Sequence, residues 1–312
     1  AKIFELDQLP PDSLILTVSA VGAPSANQTA TPVHFVRAVE LIMDRLHGKV
    51  GGLMTNELGG IAVVNGLVQS AILGVPVIDA ACNGRAYPIG TMGAMGLSMQ
   101  DGFISRQAAV GGKDIAHVEI YAEGELSTIS RLIIRASAEA GGLIAVARNP
   151  LPVSYVKENA AVGALSQAVQ LGRIYLRAQT AEERVKNVAE ALNGEVIACG
   201  RVDSVELSLR NGLDVGSILI KGLELSFWNE YMTLERGDER LATFPDLIMT
   251  MDAETGRPVS SAEVKQGQEI FVFTVPKEEL NLGAGMSDPN LFYDVEKVTG
   301  KEIVRYVFQK EL

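Results

Sequence analysis

Residues 50–79 read VGGLMTNELGGIAVVNGLVQSAILGVPVID. The apolar run Val50–Met54 predicts a buried strand, and the apolar spacing of Ile61–Leu73 predicts a helix that ends at Gly74. A second apolar run, Val75–Ile78, predicts another strand. Strands that alternate with helices are typical of a largely parallel sheet with helices on its faces, so this segment predicts an α/β domain.

The same alternation extends on both sides of this segment. A strand at 13–18 comes before it, and Thr31-Pro32 then places an N-cap residue and a helix-starting proline at the beginning of a helix. Further strands at 116–121 and 143–147 flank a helix at 127–140. We therefore expect an N-terminal α/β domain with a mostly parallel sheet and flanking helices.

The apolar period changes near residue 193. Two amphipathic helices, 164–177 and 181–192, come before this point, and the apolar residues then recur every second position. The predicted strands are 196–209, 213–223, 225–234, 247–251 and 269–275. They predict a C-terminal all-β, barrel-like domain over 194–312, after an α/β domain over 1–193 that includes the bridging helices. The C-terminal segment could also pack back on the first domain.

Composition excludes several classes of protein. The 312 residues carry a net charge of −11, and no stretch rich in Lys and Arg provides the positive surface that nucleic acids need. No apolar run is long enough to span a membrane. The two cysteines are too few for a disulfide scaffold, and they indicate a cytoplasmic protein. We therefore expect a small-molecule ligand as partner, without nucleic acid or membrane.

The densest polar cluster lies where the strand at 50–54 leads into the helix at 61–73. In open α/β sheets, ligands bind beyond the carboxyl ends of the strands. Asn56, Glu57 and Asn65 could therefore face a ligand there, and Gly59 and Gly60 would let the backbone approach it. The alternative is a capped helix start with glycines that helix–sheet packing requires.

A second cluster follows the next strand and would converge with Glu57. An arginine such as Arg85 can bind a carboxylate with two hydrogen bonds, and Asp79 can move a proton. Asn83 offers a further hydrogen-bond donor, and Cys82 could act as a nucleophile. The alternatives are a structural Arg85–Asp79 pair and an inert Cys82, which is favoured because no histidine lies nearby in the sequence.

The remaining polar residues carry weaker signals. The histidines have no zinc-site spacing, and a divalent metal held by Glu57 and Asp79 has no support from the sequence. In the second half, Asn229 and Glu230 interrupt an apolar strand, so they are candidates for substrate binding. Metal use therefore stays open at this stage.

Several segments together resemble the bacterial S-methyl-thiohydantoin desulfurase family, proteins of hydantoin-utilisation gene neighbourhoods. The resemblance begins at Asn56-Glu57-Leu58-Gly59-Gly60 and continues through 73–79 and Gly84-Arg85-Ala86-Tyr87-Pro88. It extends through Asn229-Glu230 to Asp252-Ala253-Glu254-Thr255-Gly256, nearly the whole chain in order. The family implies an α/β domain followed by a barrel-like β domain.

The resemblance implies a hydrolase that acts on a small cyclic thiohydantoin or hydantoin. Water would attack the thio-substituted ring carbon and expel a thiol, with Glu57 or Asp79 as base. Asn56, Asn83 and the backbone N–H groups near Gly59-Gly60 would donate to the charge on the ring, and Arg85 would orient an anionic tail.

Departures from the family pattern favour an alternative, a non-catalytic ligand-binding or accessory protein. Ala81 and Ile89 stand where family members carry acidic residues, and the sequence starts at Ala1, beyond the family's Gly-rich opening segment. If those acidic residues bind metal or move protons, we expect altered activity. A homo-oligomer is expected in either case.

Overall fold

The structure is a computed structural model. It describes residues 1–23, 25, 30–46 and 48–308. The chain divides into two compact units, an α/β unit of Ala1–Ser166 with Asn281–Asp288 and a β unit of Gln167–Leu280 with Pro289–Leu312. The division falls earlier than residue 193, where the apolar period changes. None of the described helices is long and apolar enough to cross a membrane.

The α/β unit contains one eight-stranded sheet. Its strands are β1 (Ile3–Phe4), β2 (Leu14–Gly22), β3 (Val50–Glu57), β4 (Val77–Asn83), β5 (Ile104–Gly111), β6 (Val118–Glu125), β7 (Leu143–Pro152) and β8 (Ala161–Val162). Its helices are α1 (Pro32–Met43), α2 (Leu67–Leu73), α3 (Leu126–Glu139) and α4 (Val153–Asn159), and α5 (Ala164–Arg177) begins in this unit.

This sheet is mixed, so the expectation of a mostly parallel sheet is wrong. The order is β1-β4-β3-β2-β7-β5-β6, with β8 on β4. The pairs among β1 to β4 are parallel, whereas β7 runs antiparallel to β2 and to β5. The error has a local cause: the pattern did not predict β5, which forms an antiparallel hairpin with β6 through a short connection.

Alternation along β2 assigns the two faces of the sheet. Leu16 and Val18 pack against α1, which covers one face. Ile15 belongs to the core on the other face, together with Val153 of α4. Thr17 and Ser19 share the face of Ile15 because successive side chains alternate. On that face of β2, the apolar Ile15 is therefore followed by the polar side chains of Thr17 and Ser19.

The helix expected over 61–73 is interrupted in its middle. A 3-10 helix covers Gly60–Val64, and α2 begins only at Leu67. Gly66 between them has a φ of +97°, which is accessible to glycine but strained for other residues. The predicted helix start at Gly59-Gly60 is therefore a single tight turn.

The β unit contains a seven-stranded antiparallel sheet and helices. The strands are β9 (Glu195–Arg210), β10 (Leu213–Ile220), β11 (Leu223–Trp228), β12 (Glu230–Arg236), β13 (Glu239–Thr243), β14 (Leu247–Asp252) and β15 (Glu269–Val275). The helices are α6 (Ala181–Ala191), α7 (Pro289–Thr299) and α8 (Val304–Val307), besides the remainder of α5.

This second sheet is a curled half-barrel and not a closed barrel. Its order is β13-β12-β11-β10-β9-β15-β14, and within the described residues β13 and β14 are its two ends. The single strand expected over 225–234 is instead a hairpin of β11 and β12. Asn229 makes the turn with a φ of +54°, a conformation that asparagine tolerates better than most residues.

Candidate functional site

The carboxyl ends of β3 and β4 meet, as the two sequence clusters require. Glu57 and Asn83 are register partners, and the backbone N–H of Leu58 donates to the Asn83 carbonyl at 3.2 Å. The loop after β4 then folds back, because the Tyr87 hydroxyl donates to the Asn56 carbonyl at 3.2 Å. Segments almost thirty positions apart thus form one edge of the α/β unit.

This edge is accessible at Glu57. Glu57 and Gly59 are half-buried and Gly60 is exposed, whereas Asn56 is buried. A Cβ on Gly59 would lie 2.9 Å from the Cβ of Ala86, so the two segments pack closely at this glycine. Glu57 is therefore the carboxylate of this edge that solvent can reach.

Buried side-chain amides of β3, of α2 and of the turn before α2 have spare hydrogen-bonding capacity. Asn56 Oδ1 and Asn65 Nδ2 are buried, and neither atom has a hydrogen-bond partner. Gln69 accepts from the N–H of Gly66 at 3.0 Å, but its Nε2 is also buried and unpartnered. Buried polar atoms are nearly always paired, so unpaired ones require an explanation such as a ligand or a water molecule. Asn56 and Asn65 were both expected to bind substrate.

Asp79 is engaged in capping α5. Its Oδ1 accepts from the backbone N–H groups of Leu165 at 2.8 Å and Ser166 at 3.0 Å, and its Oδ2 accepts from the Ser166 hydroxyl at 2.5 Å. Gly163, which comes directly before α5, has no side chain that could cap the helix, so the carboxylate from β4 takes that place. These bonds favour a structural role for Asp79 and leave Glu57 as the base candidate.

The environment of Ala81 is apolar. Ala81 packs with Ala161 and Ala164, and all three are fully buried. Leu58 covers this cluster. An acidic side chain at position 81 would be buried without a polar partner in this cluster, so the alanine fits this chain.

Asn83 and Arg85 stabilise the loop after β4. The Asn83 Nδ2 donates to the Arg85 carbonyl at 2.8 Å, and its Oδ1 accepts from the Gly283 N–H at 2.9 Å. Arg85 is 2% exposed, and its Nε donates to the Ala86 carbonyl at 3.0 Å. The Arg85 Nε and the Asp79 carboxylate form hydrogen bonds with other residues, and these bonds explain the positions of both side chains without an ion pair between the two. Both side chains position the loop that carries Tyr87.

Cys82 lies in an environment that keeps its thiol protonated. Burial raises the pKa of Cys82 to about 11, and the negative charge of Glu57 acts in the same direction. A contact of 3.3 Å with the Thr17 hydroxyl and the positive charge of Arg148 lower the pKa less than burial raises it. Burial likewise raises the pKa of Tyr87 well above its usual value. The structure thus favours an inert Cys82 over a nucleophile.

Asn229 and Glu230 lie in the β unit, at the hairpin between β11 and β12. The Asn229 Oδ1 accepts from the N–H of Asp214 at 2.9 Å, and the N–H of Asn229 donates to the Asp214 carbonyl at 2.7 Å. These bonds give Asn229 a clear role in forming the turn. They account for the polar interruption that the sequence shows.

Arg148 was not predicted from the sequence. The predicted strand ended at Ala147, but β7 continues to Pro152 and carries Arg148 in its interior, 4% exposed. Arg148 is the register partner of Thr17, and it donates a hydrogen bond to Ser19. An arginine directly after the apolar run 143–147 is the signal that could have identified it.

A groove of about 640 Å³ lies on the β unit, but its carboxylates are largely engaged. Asp252 accepts from the N–H and hydroxyl of Thr255 and from Gln268 Nε2. Glu263 accepts from the N–H and hydroxyl of Ser260. The groove is therefore a weaker candidate than the edge at Glu57. In the described part of the chain, no group of three or more His, Cys, Asp or Glu residues could hold a metal ion.

The fold and the polar edge define a class of two-unit proteins, a mixed α/β unit combined with a curled antiparallel β sheet. Family models described as S-Me-THD-like, N-terminal domain and S-Me-THD-like, C-terminal domain match residues 1–112 and 125–286. The chain therefore belongs to the S-Me-THD-like family, which confirms its resemblance to the S-methyl-thiohydantoin desulfurases.

A solved structure supports the fold. The X-ray crystal structure of a protein from Chromobacterium violaceum is similar, with a TM-score of 0.67 and 21% identity. The similarity covers 95% of this chain and 83% of that chain. At this identity the likeness shows the fold alone. Comparison with curated proteins finds no match.

Proposed function

We propose that the protein hydrolyses a small cyclic thiohydantoin at the edge formed by β3 and β4. The observation that carries the proposal is the buried, unpartnered Asn56 Oδ1 on the strand that ends at the accessible Glu57. A hydantoin-like ring presents an N–H donor, which this free acceptor complements. Family membership and the neighbouring Glu57 carboxylate support the same reaction.

The proposed reaction is the addition of water to the ring carbon that carries the S-methyl group. Glu57 takes a proton from the water, and the new carbon–oxygen bond forms on that carbon. The carbon–sulfur bond then breaks, and methanethiol leaves with a proton returned by Glu57. The proton of the added hydroxyl passes to the ring nitrogen, so the ring gains a carbonyl and an N–H in place of the C=N bond and the thioether. Asn56 holds the ring in the orientation that this attack requires.

The experiment is thiol release by the full chain with a panel of S-methyl-thiohydantoins, with and without added divalent metals. The Glu57→Gln variant preserves size and removes the base, so kcat should fall by about 10²-fold or more. Glu123→Gln is the matched control, because Glu123 is an exposed carboxylate of the same unit paired with Arg106. Full turnover by Glu57→Gln would remove Glu57 from the base role.

The second candidate is a ligand-binding or accessory protein without turnover. It is supported by the environments of Asp79 and Cys82, because the first is engaged as a helix cap and the second stays protonated. Thermal-shift binding of the same panel distinguishes the two candidates. Binding that depends on Asn56, without thiol release under any metal condition, would favour this second function.

A further inference from the structure

The interior of the α/β unit contains a positive charge that has no ion-pair partner among the described residues. Within the described residues, the guanidinium of Arg148 takes part in no ion pair, and its buried Nε has no hydrogen-bond partner. Its contact is the Ser19 hydroxyl, which accepts a hydrogen bond from Nη2. Because a buried charge is costly without a counter-charge, binding of an anion beside this guanidinium would stabilise it.

Groups near Arg148 do not supply that negative charge. The Cys82 thiol and the Tyr87 hydroxyl both feel the charge of Arg148, but burial raises the pKa of each and keeps each neutral. Gln107, the register partner of Arg148 on β5, has a buried and unpartnered Oε1. An amide oxygen or a bridging water can satisfy an N–H group, but neither carries a full charge.

Two further residues, Gly90 and Ser130, lie near the guanidinium. A Cβ on Gly90 would lie 2.5 Å from Arg148 Nη1 and 3.6 Å from the Ser130 hydroxyl oxygen. Ser130 belongs to α3, and its buried hydroxyl has no hydrogen-bond partner. Gly90 itself is half-buried, so the surface is close. We call Ser19, Gly90, Ser130 and Arg148 the arginine cluster.

We propose that the arginine cluster is a binding site for the carboxylate of a small ligand. Guanidinium and carboxylate match in a two-bond geometry, and the free hydroxyl of Ser130 adds a donor. One cation suits a singly charged carboxylate better than a doubly charged phosphate. Arg85 was expected to hold an anionic tail, but its Nε donates to a backbone carbonyl, so this role falls to Arg148. Carboxylate binding here does not require the proposed hydrolysis.

The test uses the full chain and carboxylates alone, without substrate. Acetate and inorganic phosphate are titrated at constant ionic strength, with chloride as reference, by thermal shift and calorimetry. We expect acetate to raise the melting temperature more than phosphate or chloride does. Arg148→Met should abolish the acetate response, and Arg106→Met is the control, because Arg106 is exposed and paired on the surface.

Gly90→Ala is a second variant that keeps the charge. The φ of Gly90 is not in the left-handed region, and a Cβ there would meet the flexible end of Arg148. Alanine should therefore displace the guanidinium without unfolding the chain and weaken acetate binding at least about tenfold, as the loss of a charge-assisted bond does. Ser130→Ala should weaken it less.

The outcomes separate carboxylate binding from the hydrolase proposal. An acetate response that is equal in wild type and Arg148→Met, or absent from wild type, overturns the carboxylate site. A stronger response to phosphate overturns the choice of ligand class. Glu57→Gln should lose turnover and keep the acetate response, so failure of the base assignment leaves the site intact. Loss of the acetate response in Glu57→Gln would also count against an independent site.

Discussion

Replacement of Asp79 distinguishes a helix cap from a catalytic base. In Asp79→Ala, the N–H groups of Leu165 and Ser166 and the Ser166 hydroxyl all lose their acceptor. In Asp79→Asn, an oxygen remains for the two N–H groups, and the new NH₂ group can donate to the Ser166 oxygen. The alanine variant should therefore be the less stable of the two, and both should keep Glu57 in place.

The contacts set the size of the effect. Removal of a helix cap costs about 2 kcal/mol at the upper end, and the buried hydroxyl adds about 1 kcal/mol, so Asp79→Ala should lose about 3 kcal/mol. Asp79→Asn loses the charge but not the acceptor, which corresponds to about 1 kcal/mol. Since 1.4 kcal/mol is a factor of ten, exchange at the start of α5 should accelerate by about 10²-fold in the alanine variant.

Hydrogen-exchange mass spectrometry on the peptide that begins α5 measures this loss, and thiol release is followed in parallel. If Asp79 is a helix cap, exchange should be fastest in Asp79→Ala, slower in Asp79→Asn and slowest in the wild type. Turnover should then decrease only in proportion to the fraction of folded protein. If Asp79→Asn exchanges like the wild type and has lost its turnover, Asp79 acts on the substrate and the capping interpretation is refuted.

Three further outcomes are expected. Burial raises the pKa of Cys82 to about 11, so a thiol reagent at neutral pH should label the exposed Cys199 and leave Cys82 unmodified in the native chain. The Cys82→Ser variant should keep the rate of thiol release within about threefold of wild type. Loss of turnover in this variant would instead show that Cys82 is a nucleophile. Hydrogen bonds from the first backbone N–H groups of α3 lower the pKa of Glu125 to about 2. The ionised Glu125 carboxylate therefore stabilises the folded state above the ordinary pKa of glutamate, and this stabilisation is lost as the pH falls toward 2. The melting temperatures of wild type and Glu125→Gln should differ above about pH 5 and converge near pH 2. A difference that does not change with pH would contradict the low pKa of Glu125. Gly283→Ala would place a Cβ 1.9 Å from the Cys82 carbonyl oxygen and should lower the melting temperature by at least about 3 °C. Gly172→Ala is the control, because the space around Gly172 is open and no decrease is expected. Equal melting temperatures of the two variants would show that the backbone near Gly283 can move to accommodate the methyl group.

Local pattern was sufficient for the parallel core of the first unit. The run at 50–79 predicted β3 and β4, because fully buried strands are continuously apolar, but it predicted one helix between them where the structure has a 3-10 helix and α2. β5 was missed since Arg106 and Gln107 interrupt its apolar residues. Gln107 is tolerated in the core through its bond to Ser105, which in turn donates to Asn149. That network depends on β7, a strand distant in sequence.

The candidate site was predictable only in part, for a related reason. The meeting of Glu57 with Asn83 follows from neighbouring strands. The bonds of Asp79 reach residues more than eighty positions away, and no spacing rule indicates them. Arg148 required the knowledge that β7 lies antiparallel to β2, which places it opposite Thr17. Non-local pairing thus decided which polar residues are engaged and which are not.

The return of Asn281–Asp288 to the α/β unit has a consequence for biosynthesis. Gly283 bonds the Asn83 side chain next to the candidate site, and Asp288 accepts from Ser98 at 2.8 Å. A nascent chain therefore cannot finish its first unit when residue 166 leaves the ribosome, because eight residues made after the entire second sheet are still missing. Maturation of the ligand-binding edge should await nearly complete translation, and a polypeptide truncated before 281 should emerge with that edge unfinished.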